Sequence, residues 1–320
     1  MSLAKKYALI DLHLHLDGSI SLSSARALAK MQGIELDDDD DALLSCLTVG
    51  EDCKDLNEYL EKFDFPLSLL QTKEAIAESV YRLCEELLAD GLIYAEIRFA
   101  PQLHTRLGLS QREVVEAAII GKNRTSFKSS LILCCMRGDE NSKENMTTVS
   151  VAKEFIGKGV CAVDLAGAEA LFKTETFSEL FAYAKSLDLP FTIHAGEADG
   201  PKSVSLALDY GAKRIGHGVR SIEDASLIKR LAESGVALEL CPTSNLNTCI
   251  FEDISQYPIR KLLDAGVKIT LNTDNITVSN TTLAKEYELI RKTFDLSEKE
   301  LDIILKNSMS AAFVDDEFFA

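Results

Sequence analysis

The amino-acid sequence predicts an α/β fold, a (β/α)8 TIM barrel with additional helices after the first strand. Three observations carry this reading. Eight short apolar runs rich in β-branched residues punctuate the 320-residue chain, most of them ended by Gly, Pro, Asp or Asn. Between most of them the apolar residues recur three and four apart, the period of a helix with one buried face. The runs themselves are nearly continuous in apolar residues, as strands covered on both faces require. Strand followed by helix, repeated about eight times, is the sequence form of a closed parallel barrel.

The runs follow in order. YALIDLHLHLD begins at Tyr7, IYAEIRFAP at Ile93, SLILCCMRG at Ser130 and VCAVDLAG at Val160. PFTIHAGE begins at Pro190, RIGHG at Arg214, VALELCPTSN at Val236 and VKITLNTDN at Val267. AIAESVYRLCEELLADG, before the second run, and DASLIKRLAESGVALE, before the seventh, show the helical period most clearly. From about Ser21 to Gly91 the chain is too long for one crossover, so extra helices should cover one end of the barrel. The run Asp37 to Asp41 lacks the spacing of a calcium loop and is placed in a solvated loop. With no low-complexity linker and no further repeat, residues 1–320 read as a single barrel domain.

Composition narrows the function. Thirty-four basic residues against 51 acidic ones leave a net charge of -17, a field that repels polyanions. Neither nucleic acid nor an anionic membrane surface is an expected partner. No run approaches the roughly 18 apolar residues of a membrane span, and MSLAKKYALIDLHLHLDG leads into a strand pattern without a signal-peptide core. A cytoplasmic location is expected. The eight cysteines are scattered through apolar segments with no CxxC pair, which suits reduced, mostly buried thiols.

Four of the five histidines, His13, His15, His194 and His217, lie on the expected strands near their C-terminal ends, where barrel enzymes build their sites. Side chains alternate along a strand, so His13 and His15 share one face while Leu12, Leu14 and Leu16 take the other. Adding Asp274, at the end of the last run, gives three imidazoles and a carboxylate with one imidazole to spare. That inventory fits a catalytic zinc site with one position left to water. Glu197 follows His194 through Ala195 and Gly196, and the glycine lets the chain turn so that the carboxylate comes back over the ligands. Gly167 either terminates its strand or lets backbone approach a ligand. His104, in a loop after the second run, receives no role. The glycines at 196 and 200 with Lys202 lack phosphate-loop spacing, and Cys241-Pro242 reverses the order found in the zinc deaminases of flipped bases.

At these residues the sequence resembles the adenosine deaminase family over nearly its whole length. The matching motifs are LHLHLDG (Leu12 to Gly18), EYLEKFD (Glu58 to Asp64), YAEIRFAPQLH (Tyr94 to His104), DLAGAE (Asp164 to Glu169), HAGE (His194 to Glu197), RIGHG (Arg214 to Gly218), CPTSN (Cys241 to Asn245) and NTDN (Asn272 to Asn275). The resemblance implies a one-zinc barrel enzyme of purine salvage. Its reaction converts adenosine and 2′-deoxyadenosine to inosine and 2′-deoxyinosine, releasing ammonia after a zinc-activated water attacks purine C6. It places His13, His15, His194 and Asp274 on the metal, with Asp274 also among the catalytic residues. Glu197 becomes the proton donor to ring N1, and His217 the residue that orients the water and helps deprotonate it. His15 and Asp17 fall near the ribose and the Gly167 backbone at the purine.

One position departs from the family pattern. Most relatives end the last strand with two aspartates, whereas here the second is Asn275. In the family that second carboxylate must be protonated to meet purine N7, an acceptor; an asparagine amide donates without a proton. Purine recognition should therefore survive and depend less on pH. Adenine deaminases share these motifs but typically carry glutamate where this chain has Asp17, so the nucleoside is favoured over free adenine. Two-metal hydrolases use a modified lysine ending the fourth strand, and this one ends in Asp164, Leu165, Ala166 and Gly167. A weakened binding protein is the alternative outside enzymes.

Overall fold

The computed structural model describes residues 7–50, 53–314 and 316–319; the leading MSLAKK, part of the expected cytoplasmic start, lies outside them. Among the described residues eight strands run in chain order: β1 Leu9–His15, β2 Leu92–Phe99, β3 Ser129–Met136, β4 Val160–Ala166, β5 His194–Ala195, β6 Arg214–His217, β7 Ala237–Leu240 and β8 Ile269–Leu271. They pair in parallel as two four-stranded sheets, β1 to β4 and β5 to β8. Two seams close them into a barrel. Val163 of β4 bridges Phe191 ahead of β5, and Leu14 of β1 bridges Asp274 just past β8. At the second seam His15 N donates to Asp274 O (2.7 Å) and Asp274 N to His13 O (2.8 Å). The (β/α)8 expectation holds, with β5 shorter than its apolar run because Pro190 and the turn after Ala195 limit its pairing.

Helices follow the strands and bury apolar faces against the barrel's outside, where residues such as Leu14, Val80, Val115, Phe181, Ile215 and Ile290 form the main core. Local chemistry sets their ends. Thr72 accepts from Ala75 N to start Lys73–Ala89, and Asp224 caps Ala225–Ser234, which stops at left-handed Gly235. The excursion after β1 contributes four further helices, Leu22–Gln32, Asp40–Leu47, Leu56–Leu60 and Asp64–Leu69. Part of it has its own small core around Ile20, Leu28, Leu47 and Leu69. The aspartate run is exposed as expected but does not stay a loop. The Asp39 side chain accepts from Asp41 N and caps the helix Asp40–Leu47, and Arg26 pairs with Asp40.

The barrel interior is layered. At the floor Ile10, Leu12 and Tyr94 pack with Met309, Phe318 and Phe319 of the C-terminal segment. Above it lie ion-paired side chains, and above these the histidines. Leu12 thus departs from the expected alternation with Leu14 and Leu16. The β1 register slips between Asp11 and Leu14, and Asp11 Oδ1 accepts from His13 N at 3.2 Å. This bulge inserts an extra residue and re-aims His13 without moving Leu14 or Leu16 from the outer core. All eight cysteines are free, and six are buried. Among the described residues no helix is long and apolar enough to cross a membrane.

Candidate active site

Strand ends bring the expected residues to the C-terminal mouth of the barrel. His13 and His15 reach it from β1, and each Nε2 stands 3.4 Å from Asp274 Oδ1. His194 of β5 brings its Nε2 to 3.2 Å from that of His15. Four donors tetrahedrally placed at about 2.0–2.1 Å from one cation would lie roughly 3.3 Å apart. The separations therefore fit one small ion held by His13, His15, His194 and Asp274. His13 Nε2 is buried with no hydrogen-bond partner among the described residues, as a metal-binding nitrogen would be. A second grouping, His13, His217, Cys241 and Asp274, is chemically poorer. Burial pushes the Cys241 thiol well above its ordinary range, and the thiol donates to Glu239 O at 3.5 Å.

Asp274 and His217 both have Cβ atoms yet adopt left-handed backbone, with φ of 61° and 58°. Such geometry costs about 1–2 kcal/mol per residue and is sustained here where side chains must turn over the barrel mouth. His217 Nε2 faces two carboxyls, Glu197 Oε2 at 3.7 Å and Asp274 Oδ2 at 3.9 Å. Their environments drive them apart. Burial, then the charges of Asp274 and Glu169, raise the Glu197 carboxyl well above its ordinary range. Burial alone would raise Asp274 too, but His13, His217 and His15 overcome it and hold that carboxyl well below. The two carboxyls are thus driven in opposite directions, the separation by which environments set acid and base roles apart. Burial lowers His217 to about 3, so its imidazole is neutral. Tyr257 donates to Asn245 Oδ1, and Asn245 Nδ2 meets His217 Nδ1 at 3.1 Å, which places the imidazole proton on Nε2.

Above this cluster opens a cavity of about 290 Å³. His15, Asp17, Gly167, His194, Glu197, His217, Asp274 and Asn275 all line it. The post-β1 helices close one side with Leu56, Tyr59, Leu60, Phe63 and Leu67, so the EYLEKFD motif supplies an apolar wall. Asp17 is buried, its Oδ1 without a hydrogen-bond partner among the described residues, and burial pushes its carboxyl up to about 6. Asn275 is buried beside Gly18, where an added Cβ would fall 1.8 Å from Asn275 Oδ1. Only glycine fits there.

The family model for adenosine deaminase matches residues 8–318. The chain belongs to the adenosine deaminase family. An adenosine deaminase from Haemophilus ducreyi is 49% identical, the match covering 98% of this chain and 93% of that protein. Solved structures of the Arabidopsis N6-mAMP deaminase (28% identity, TM-score 0.85, 98% and 96% covered) and of an Arthrobacter aurescens adenine deaminase (25%, 0.86, 98% and 95%) share the fold. As a member of the adenosine deaminase family, the protein is a metal-dependent hydrolase.

At this site, sequence reasoning missed the groups behind the imidazoles. Glu239 Oε2 lies 2.8 Å from His13 Nδ1, and Asp164 Oδ2 lies 2.9 Å from His194 Nδ1. Carboxylates behind two imidazoles turn both Nε2 atoms toward one point. Arg98 joins them, donating to Asp164 (2.9 Å) and to Glu239 (3.0 Å), and Arg214 joins Glu239 to Glu96 (2.5 Å each). Ser244 donates to Asp274 Oδ2 at 2.6 Å, so the CPTSN motif holds both Asp274 and, through Asn245, His217. The signal was present, since charged residues inside otherwise apolar strands are expensive unless paired. Four buried carboxylates, Glu96, Asp164, Glu239 and Asp274, face two guanidiniums, a negative excess that a divalent cation would offset. His104, by contrast, ends the short 3-10 turn Pro101–His104 and is buried, its Nδ1 2.9 Å from Leu70 O; it ties the helical excursion to the barrel.

Arg98→Met should therefore cost about 3–5 kcal/mol of stability, because it strands two buried carboxylates. Urea unfolding checks this; a loss below about 1 kcal/mol would show that the layer does not depend on its guanidinium.

Proposed function

We propose that the protein hydrolyses adenosine and 2′-deoxyadenosine to inosine and 2′-deoxyinosine with release of ammonia, a purine salvage reaction, using one zinc ion. The observation that carries this is the pair of carboxyls around His217, Glu197 at 3.7 Å with its pKa raised by burial and Asp274 at 3.9 Å with its pKa held low, beneath a cavity lined by Asp17, Gly167 and Asn275. Imidazole and carboxylate donors suit zinc. His13, His15, His194 and Asp274 would hold it, and when bound it supplies acidification of water from a pKa of about 15.7 to about 7.

The remaining chemistry belongs to side chains. Attack at purine C6 drives electrons onto N1, which must gain a proton, and Glu197 holds one. His217 presents Nε2–H toward the space between Glu197 and Asp274 and orients the incoming oxygen; taking its proton as well would require the Asn245 amide to turn over. Asp17 and His15 meet the ribose, and the Gly167 backbone and the Asn275 amide meet the purine.

A panel of adenine, both nucleosides and their monophosphates, compared by kcat/KM with ammonia as readout, tests this. Preference for adenine would transfer the reading to the free base, and no ammonia from any substrate in metal-loaded protein would leave a binding protein. Asn275→Asp supplies a sharper test. A buried aspartic acid donates to N7 only while protonated, so the variant should match wild type within about threefold at low pH and lose kcat/KM as pH rises. A large gain at every pH would instead mean that the amide impairs the reaction.

A further inference from the structure

Glu197 is aimed without a hydrogen bond to its own carboxyl among the described residues; the His217 Nε2 stands 3.7 Å from its Oε2, beyond hydrogen-bond reach. The orientation of that acid must then come from its backbone. The loop that carries it, between β5 and the helix Pro201–Tyr210, wraps around one side chain from another part of the barrel. Glu169 is fully buried. Its Oε1 accepts from Gly196 N (2.7 Å) and from the Ser203 hydroxyl (2.5 Å). Its Oε2 accepts from Glu197 N (3.0 Å), Ala198 N (2.8 Å) and Asp199 N (3.0 Å). Four successive amides, that of Glu197 among them, thus converge on one carboxylate, at a left-handed turn made by Gly196 (φ 72°).

We infer that Glu169 is a positioning residue for the reaction: by gripping the 196–199 backbone it sets where the Glu197 carboxyl meets the substrate. The inference rests on the reading of Glu197 as proton donor. Only a carboxylate satisfies this arrangement. Both oxygens must accept, five donors in all, and a glutamine amide would turn its NH2 toward either Gly196 and Ser203 or the other three N–H groups. Buried donors left unpaired force the loop to move. Misplacement of a reacting group by about 1 Å costs on the order of 10²-fold in rate. The same carboxylate keeps a negative charge near Glu197, which favours its protonated form.

Wild-type ammonia release from adenosine comes first, because its absence would overturn the functional reading and not this one. Given that activity, Glu169→Gln should lower kcat by about 10²-fold while KM and inosine binding stay within about threefold. Zinc content should stay at the wild-type level, and amide hydrogen exchange at 196–199 should accelerate. Glu169→Asp, which keeps the charge but retracts it by one methylene, serves if the glutamine variant folds poorly, and should show the same split of kcat from KM. A folded variant that keeps kcat within about threefold overturns the inference. So does one in which kcat, KM and zinc content fail together, the pattern of a residue that only maintains the fold.

Discussion

Glu197→Gln lowers kcat by about 10²–10⁴-fold while zinc content and substrate affinity remain near wild type; this is the expected result if general acid catalysis resides there. Glutamine has the same shape and donates a hydrogen bond, but it has no proton to transfer to N1. The wild-type acid is suited to the task because burial, Asp274 and Glu169 together raise its carboxyl well above the ordinary range. The sign follows. The active form is the protonated one, so activity persists through pH values at which an exposed glutamate is ionised, and falls on the alkaline side as Glu197 loses its proton. Steady-state kinetics over pH with metal analysis would check both parts. A variant retaining more than about a tenth of wild-type kcat would mean that the proton reaches N1 by another route.

Chelation is expected to have the second large effect, abolishing ammonia release and lowering the thermal midpoint, with both restored by zinc. Three imidazoles and Asp274 converge with ligand-like spacing, and His13 Nε2 has no hydrogen-bond partner among the described residues. Below them the carboxylates of Asp164, Glu239 and Glu96 outnumber the guanidiniums of Arg98 and Arg214. Metal removal leaves that excess buried. An ion present at about 1,000 times its dissociation constant stabilises the folded state by about 4 kcal/mol. Differential scanning calorimetry before and after dialysis against chelator, with elemental analysis, measures it. Full activity and an unmoved midpoint in demonstrably metal-free protein would rule out the assigned ion site.

The two tests separate the parts of the site. Metal loss should disturb stability and activity together, because the residues proposed to hold it, His13, His15 and Asp274, also close the seam between β1 and β8. Loss of the Glu197 proton should disturb activity alone, because that side chain holds nothing else in place. Arg98 belongs with the first group, whereas Glu169 reaches the second through the 196–199 backbone that it holds.

Sequence alone determined the repeated strand and helix pattern, the helical excursion after β1, and the placement of His13, His15, His194, His217 and Asp274 at strand ends. These follow from periodicity and local turn chemistry, which are properties of neighbouring residues. Tertiary structure decided the rest. The bulge that re-aims His13, the shortness of β5 and the burial of His104 depend on what each segment packs against. So do the partners of Glu239, Asp164, Asn245 and Glu169. Glu239 meets His13 from 226 positions away, and Glu169 grips amides 27 to 30 positions further along. No local pattern encodes such pairings; they form because a buried charge inside a closed barrel must find its counterpart across the chain.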